Sequence, residues 1–203
     1  MTDIRTTAKL GRPREFDVDE ALEQAVLVFW EHGFEGASLT DLTTAMGISR
    51  KSMYAAFGNK EELFRKALQR YSEGPGAYAA RALEQPTALA VATSFLNGCL
   101  YSSTKPTRPP GCLYVKGQLT AGEPGGPVDR AVTADRDEGF AGLRARFQRA
   151  VDEGDLPPET DACQLARYVV TVANGLCVQA SGGVRRDELQ PVVDAALRNW
   201  PPL

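Results

Sequence analysis

The sequence predicts an all-α protein: a small N-terminal unit of short, closely punctuated helices, then a larger bundle of longer ones. Three observations carry that reading. No run of β-branched residues alternates between turn signals, so strands have nothing to form on. Apolar residues recur instead at spacings of three and four, between capping residues and glycines. The punctuation then changes near residue 73, beyond which lie Gly74-Pro75-Gly76, the Pro106 to Gly111 stretch, Gly122 to Pro127, Asp155 to Pro158, and Gly182-Gly183. The chain divides accordingly into a flexible basic arm over 1–14, a first domain over 15–73 and a second over 74–203.

The arm sets Arg5, Lys9, Arg12 and Arg14 against Asp3 alone, a net +3. A first helix starts at Asp17, whose carboxylate caps it while Glu20 completes a capping box. Val18, Leu22, Ala25 and Phe29 follow at helical spacing, and Gly33 supplies the left-handed stop. Ser38 and Asp41 repeat the box for a second, short helix that carries Leu39, Leu42 and Met46 inward and ends at Gly47. Ser49 caps a third, which runs to Phe57 and is closed by Gly58. Asn59 and Glu62 cap a fourth beginning at Lys60, with Leu63, Phe64, Ala67, Leu68 and Tyr71 on its apolar side. Further helices are predicted over 77–85, 87–104, 111–121, 128–153, 160–181 and 185–199.

Two short helices joined by a tight glycine turn form the helix-turn-helix pattern. The third helix also has a face that makes little sense as core. At about 100° per residue, Met53, Tyr54 and Phe57 cluster on one side, and Lys51, Ser52, Ala55 and Ala56 on the other, flanked by Arg50. One cation, one hydroxyl and two small residues can lie against a major groove without clashing.

Residues 10–71 resemble the DNA-binding domain of the tetracycline-repressor (TetR) family of bacterial transcriptional regulators. The matching stretches are Gly33-Phe34, Ala37-Ser38-Leu39-Thr40-Asp41-Leu42, Met46-Gly47-Ile48-Ser49, Ser52-Met53-Tyr54 and Phe57-Gly58-Asn59-Lys60-Glu61-Glu62-Leu63-Phe64. Beyond residue 73 the similarity is one of architecture only. The resemblance implies a homodimeric repressor on a palindromic double-stranded DNA operator, released by an unknown small-molecule effector. It implies no cofactor and no enzymatic activity.

On such an operator the phosphate contacts fall to Lys60, beside the free N–H groups that open the fourth helix, and to Ser38 and Thr40 at the start of the second. Tyr54 resembles the family position whose hydroxyl reaches a phosphate. Base edges fall to Arg50, Lys51, Ser52, Ala55 and Ala56, with lysine suited to guanine and alanine to the thymine methyl. Arg12 and Arg14 suit a minor groove, as basic arms do. Residues 49–70 support this map, with six cations against Glu61 and Glu62 for a net +4.

In the second domain, Phe140, Leu143, Phe147 and Val151 recur at three, four and four, and Leu165, Val169, Val172 and Leu176 at four, three and four. The resemblance implies that these two long helices build a four-helix interface between subunits. Phe140, Phe147, Leu165, Val169, Val172 and Leu176 are its expected residues. Candidates to line an effector pocket are Phe95, Cys99, Tyr101, Cys112, Tyr114, Gln118, Phe140, Phe147, Tyr168 and Asn174, the last a polar residue inside an apolar run.

Composition narrows the alternatives. A net charge of −3 and a pI near 5.3 argue against an architectural protein that coats DNA with its whole surface. Four cysteines form no C-x-x-C pair, and the single histidine, His32, is too few for a His-rich metal site. Gly111-Cys112-Leu113, together with the stretch from Ser52 to Gly58, resembles a branch of the family that includes a copper-responsive repressor. That makes a soft metal on the thiolates of Cys99 and Cys112 the rival effector. A small enzyme with Cys112 as nucleophile and His32 as base is a third reading, weakened by their separation in sequence. No stretch approaches the ~20 apolar residues that cross a bilayer, and the first residues lack the apolar core of a secretory signal. No membrane partner is expected, and the expected location is the cytoplasm.

Overall fold

A computed structural model describes residues 16–120, 124–198 and 200–201, so the arm with Arg12 and Arg14 lies outside the described residues. Among those described there are ten helices and no strand. They are α1 (Val18–Gly36), α2 (Leu39–Ala45), α3 (Arg50–Phe57), α4 (Lys60–Glu73), α5 (Tyr78–Leu83), α6 (Ala88–Ser103), α7 (Leu113–Leu119), α8 (Pro127–Asp152), α9 (Ala162–Ser181) and α10 (Arg186–Arg198). The fold is all-α, with a helix-turn-helix near the N-terminus and a larger helical part after it.

Capping chemistry sets the starts of the first four helices. Asp17 accepts from the N–H groups of Asp19 and Glu20 at 2.8 and 3.1 Å. Only this half of the predicted box forms, whereas α2 and α4 have both halves. Ser38 Oγ accepts from Asp41 N while Asp41 Oδ2 accepts from Ser38 N. Asn59 and Glu62 exchange the same pair of bonds.

Gly33 does not end α1. Its φ of 71° breaks the helix locally, and the helical run resumes as far as Gly36. The break lies where α7 comes closest: a Cβ on Gly33 would stand 2.0 Å from Thr120 Oγ1. A glycine is needed here twice over, for the left-handed backbone and for the approach of a neighbouring helix.

Packing joins the two parts of the chain. α1 lies on α4 and α7, α4 reaches α8, α6 sits between α5, α9 and α10, and α8 runs along α9. Buried residues form one continuous core. At the junction, Phe29 meets Phe64 edge-on with centroids 5.0 Å apart. Trp30 meets Tyr71 at 4.9 Å, and Tyr71 meets Tyr114 at 5.4 Å. Phe29, Trp30, Phe64 and Tyr71 are fully buried and Tyr114 half-buried; each fully buried one contributes about 1.5–3 kcal/mol relative to exposure. The buried Arg146 on α8 donates from Nη2 to the carbonyls of Gln85 and Pro86, holding the turn between α5 and α6.

Gly33→Ala is expected to destabilise the protein by about 2–4 kcal/mol, because left-handed strain and the Thr120 clash add. Gly47→Ala, at a φ of 65° with nothing within 4 Å of the new Cβ, carries only the strain, about 1–2 kcal/mol. Urea denaturation of both variants checks the ranking, and a larger loss at Gly47 would contradict it.

Candidate nucleic-acid interface

Eight residues are too few to hold a helix in water, so α3 owes its shape to its ends and its buried side. Ser49 Oγ accepts from Ser52 N at 3.1 Å and shares a hydrogen bond with Ser52 Oγ at 3.0 Å. Gly58, at a φ of 81°, turns its N–H back to the carbonyl of Tyr54. Lys66 on α4 donates from Nζ to the carbonyl of Phe57 at 3.2 Å, satisfying a group that the helix end leaves free. Sequence reasoning missed Lys66, since nothing local marks a lysine nine positions on as a cap.

Met53 and Phe57 are buried, at 0% and 2% exposure, and Ala56 is half-buried against the same core. Tyr54, expected beside them, is 48% exposed instead. Ala56 and Tyr54 thus exchange the sides expected of them. The reason is periodicity: once Met53 is the anchor, the positions three and four later are Ala56 and Phe57. The outward face becomes Lys51, Tyr54 and Ala55, all exposed at the same spacing, with Ser52 half-buried beside them.

Flanking groups converge on this face. Arg50 Nη2 donates to Thr40 Oγ1 at 2.9 Å, tying the first turn of α3 to the first turn of α2. Ser38 is engaged as a cap: its Oγ donates to Asp41 Oδ2 at 2.6 Å while accepting from Asp41 N. The Ser38 hydroxyl first, and then the Ser38 N–H, which donates to the same Oδ2, hold the Asp41 carboxyl below its usual range. Lys60 opens α4 with Nζ 4.4 Å above the Phe34 ring. Half-burial there lowers its pKa, against the pull of Glu35. Arg70 pairs with Glu23 and Asp19, fastening α4 to α1 behind the face.

A cavity of about 700 Å³ opens between α4, α5, α6, α7 and α8. Of the expected effector residues, Phe95 and Tyr114 line it, joined by Arg65, Asp135 and Glu138, which the sequence did not suggest. Burial raises the Tyr114 hydroxyl well above its ordinary value, with Asp135 adding to the effect. It also raises Asp135, which Glu138 pushes further. The other candidates lie elsewhere. Gln118 is exposed and Asn174 half-buried on α9. Tyr101 lies at the surface under the Arg186 guanidinium, and Tyr168 donates to the Ala196 carbonyl. Phe147 is buried against Trp200. Cys99 and Cys112 are buried, and His32 is exposed beside Glu31. Among the described residues there is no group of three His, Cys, Asp or Glu able to hold a metal ion.

The two apolar stripes serve largely as the chain's own core: Phe147, Leu165, Val169 and Leu176 are all buried within it. Phe140, capped by the Arg167 guanidinium at 3.9 Å, and Val172 are half-buried. The outer side of α9 presents Thr171, Gly175 and Val178, the last 51% exposed.

Residues 21–67 match the family described as bacterial regulatory proteins, tetR family. Residues 88–190 match the tetracyclin repressor-like C-terminal domain. The chain is 29% identical to the HTH-type transcriptional repressor ComR of Escherichia coli over 95% of its own length and 93% of that protein's. It is 34% identical to the uncharacterized HTH-type transcriptional regulator YezE of Bacillus subtilis, over 93% and 98% of the two chains. Among solved structures, it is similar to a cysteine mutant of the TetR family transcriptional regulator CifR complexed with 26-base-pair double-strand operator DNA. There the TM-score is 0.87 and the identity 44%, covering 94% of this chain and 100% of that one.

Ser49→Ala removes the cap of α3 and is expected to cost about 1 kcal/mol. Hydrogen exchange should show the amides of Lys51 to Met53 exchanging faster in the variant while those of α4 stay unchanged. Equal acceleration in both helices would contradict a local role for the cap.

Proposed function

This chain belongs to the TetR family of helix-turn-helix transcriptional regulators, and from that premise we propose a homodimeric repressor that leaves a palindromic operator when a small molecule binds. The observation that carries the reading is the exposed Lys51, Tyr54 and Ala55 face, flanked by Arg50, Thr40 and Lys60. The proposal assigns DNA binding to residues 15–73 and effector binding with dimerisation to residues 74–203.

Tyr54, Thr40 and Lys60 suit phosphates, which position the protein without reading sequence, and Ser38 adds an oxygen at the same edge. Lys51, Ser52, Arg50 and Ala55 suit base edges in the major groove. Arg12 and Arg14 keep the minor-groove role that the resemblance implies. The effector site is the cavity lined by Phe95, Tyr114 and Asp135. α4 supports that choice, since it lends Arg65 and Leu68 to the cavity and carries Lys60 at its other end. An effector that prefers a different setting of α4 weakens operator binding by its differential affinity for the two states.

Dimerisation is assigned to the outward faces of α8 and α9, where Phe140, Val172 and Val178 remain partly exposed. A two-fold dimer places two copies of α3 on half-sites about one helical turn apart.

Two tests address these assignments. In mobility-shift titrations on DNA upstream of the protein's own and neighbouring genes, Lys51→Ala should narrow the gap between cognate and scrambled sequences. Lys60→Ala should weaken both alike and reduce the slope of log K against log salt by about one. The opposite pattern would refute the division of labour. Light scattering should give a dimer mass for the wild type and a monomer mass for Val178→Asp; an unchanged mass would move the interface off α9.

A further inference from the structure

One stripe of α8 lines the cavity that opens toward α4 and α5. It consists of Ala131, Asp135, Glu138, Gly139 and Gly142, residues that share a helix face. Glycine weakens a helix interior, yet a Cβ at Gly139 would meet nothing within 4 Å. No packing contact claims that space, so it belongs to the opening. Across from the stripe lie Leu68 of α4, Leu83 of α5 and Phe95 of α6, an apolar floor. The rings at the floor are held in place by their neighbours. Phe95 stands edge-on to Tyr78 with centroids 5.7 Å apart, and Tyr114 stands edge-on to Tyr71 at 5.4 Å.

Charge in the opening is unbalanced. Among the described residues, neither Asp135 nor Glu138 is ion-paired with a lysine, arginine or histidine. Arg65, on the α4 side, is the one cation among the lining residues, and it is not ion-paired either. Two carboxylates against one guanidinium leave the lining net negative. Partial withdrawal from water and the nearby Glu138 both raise the Asp135 carboxyl, as expected of negative charge without a counter-ion. An anion entering here would gain one partner and meet two repulsions. A cation would gain two carboxylates, and aromatic faces that attract positive charge.

We infer that the cavity takes an organic cation, a protonated or quaternary amine on an apolar body. Its charge sits at the edge formed by Asp135 and Glu138, and its body lies over Leu68, Leu83 and Phe95. A volume of about 700 Å³ is in the range that holds a drug-sized molecule. Burial of the apolar body supplies most of the affinity, and the carboxylates select the sign of the charge. The inference rests on the reading of this cavity as the effector site and adds to it the chemical class of the ligand.

The test titrates the full-length protein calorimetrically, in sodium buffer without DNA, with tetraphenylphosphonium and with tetraphenylborate, ions of the same shape and opposite charge. The phosphonium is expected to bind about tenfold more tightly than the borate. Asp135→Asn combined with Glu138→Gln should weaken the phosphonium about tenfold without weakening the borate. Gly139→Leu, whose side chain enters open space, should abolish phosphonium binding while the urea midpoint stays at or above that of the wild type. Arg65→Ala should not weaken the phosphonium. Borate binding as tight as phosphonium binding, phosphonium binding indifferent to both the carboxylate and the Gly139 variants, or no binding of either ion would each overturn the inference. A separate arm measures the affinity for DNA upstream of the protein's own gene with and without the phosphonium. Phosphonium that binds the cavity but leaves that affinity unchanged overturns the effector reading and supports the ligand class. Borate-selective binding that is lost in Gly139→Leu overturns the ligand class and leaves the effector reading standing.

Discussion

The exposed face of Lys51, Tyr54 and Ala55 depends on a helix that cannot stand alone. Eight residues form too few turns for the backbone bonds to outweigh the entropy of ordering them. α3 is instead pinned by Met53 and Phe57 in the core, by Ser49 at its start, and by Gly58 with Lys66 at its end. Those constraints fix which residues point out. A slip of one position in the anchor would turn Lys51 and Tyr54 away and bring Ser52 and Ala56 round. The chemistry of the exposed face thus follows from two buried side chains that contact no ligand.

Much of this was legible in the sequence because helix boundaries here are written in local code. Ser38 with Asp41, Ser49, and Asn59 with Glu62 each announce a start, and Gly47 and Gly58 each announce a stop. Gly33 carried the same local signal for a different purpose, since its missing Cβ makes room for Thr120, far along the chain. The side chosen for Tyr54 went astray for a related reason: aromatics default to the core, and only the full contact set of α3 shows that Ala56 fits there instead. Of the pocket, Phe95 and Tyr114 were in view, whereas Asp135 and Glu138 on a polar-looking stretch of α8 were not. The contact of Cys99 with Cys177 was invisible, because residues 78 positions apart meet only when α6 and α9 pack. The apolar stripes showed which faces are greasy, not whose core they fill.

α4 is the element at which most of these features meet. Its first residue is Lys60, its middle turns lend side chains to the cavity, and its last turn carries Tyr71 between Trp30 and Tyr114. Bonds to Glu23 and Asp19 fasten it to α1 as well. Because packed cores switch between arrangements rather than stretching smoothly, a disturbance at either end is felt along the whole rod.

The uneven distribution of charge has a bearing on how the protein meets its partner in solution. Residues 1–14 and 49–70 are net positive, while the remainder holds 13 basic against 23 acidic side chains. The sorting is local, since residues 15–48 hold eight acidic side chains and no lysine or arginine, directly ahead of the cationic 49–70 stretch. A polyanion is drawn to the cationic stretch and repelled by the acidic one before any contact is made, which favours a narrow set of approaches. Fewer collisions are wasted on wrong orientations, and added ions erode that advantage by shortening the reach of the field.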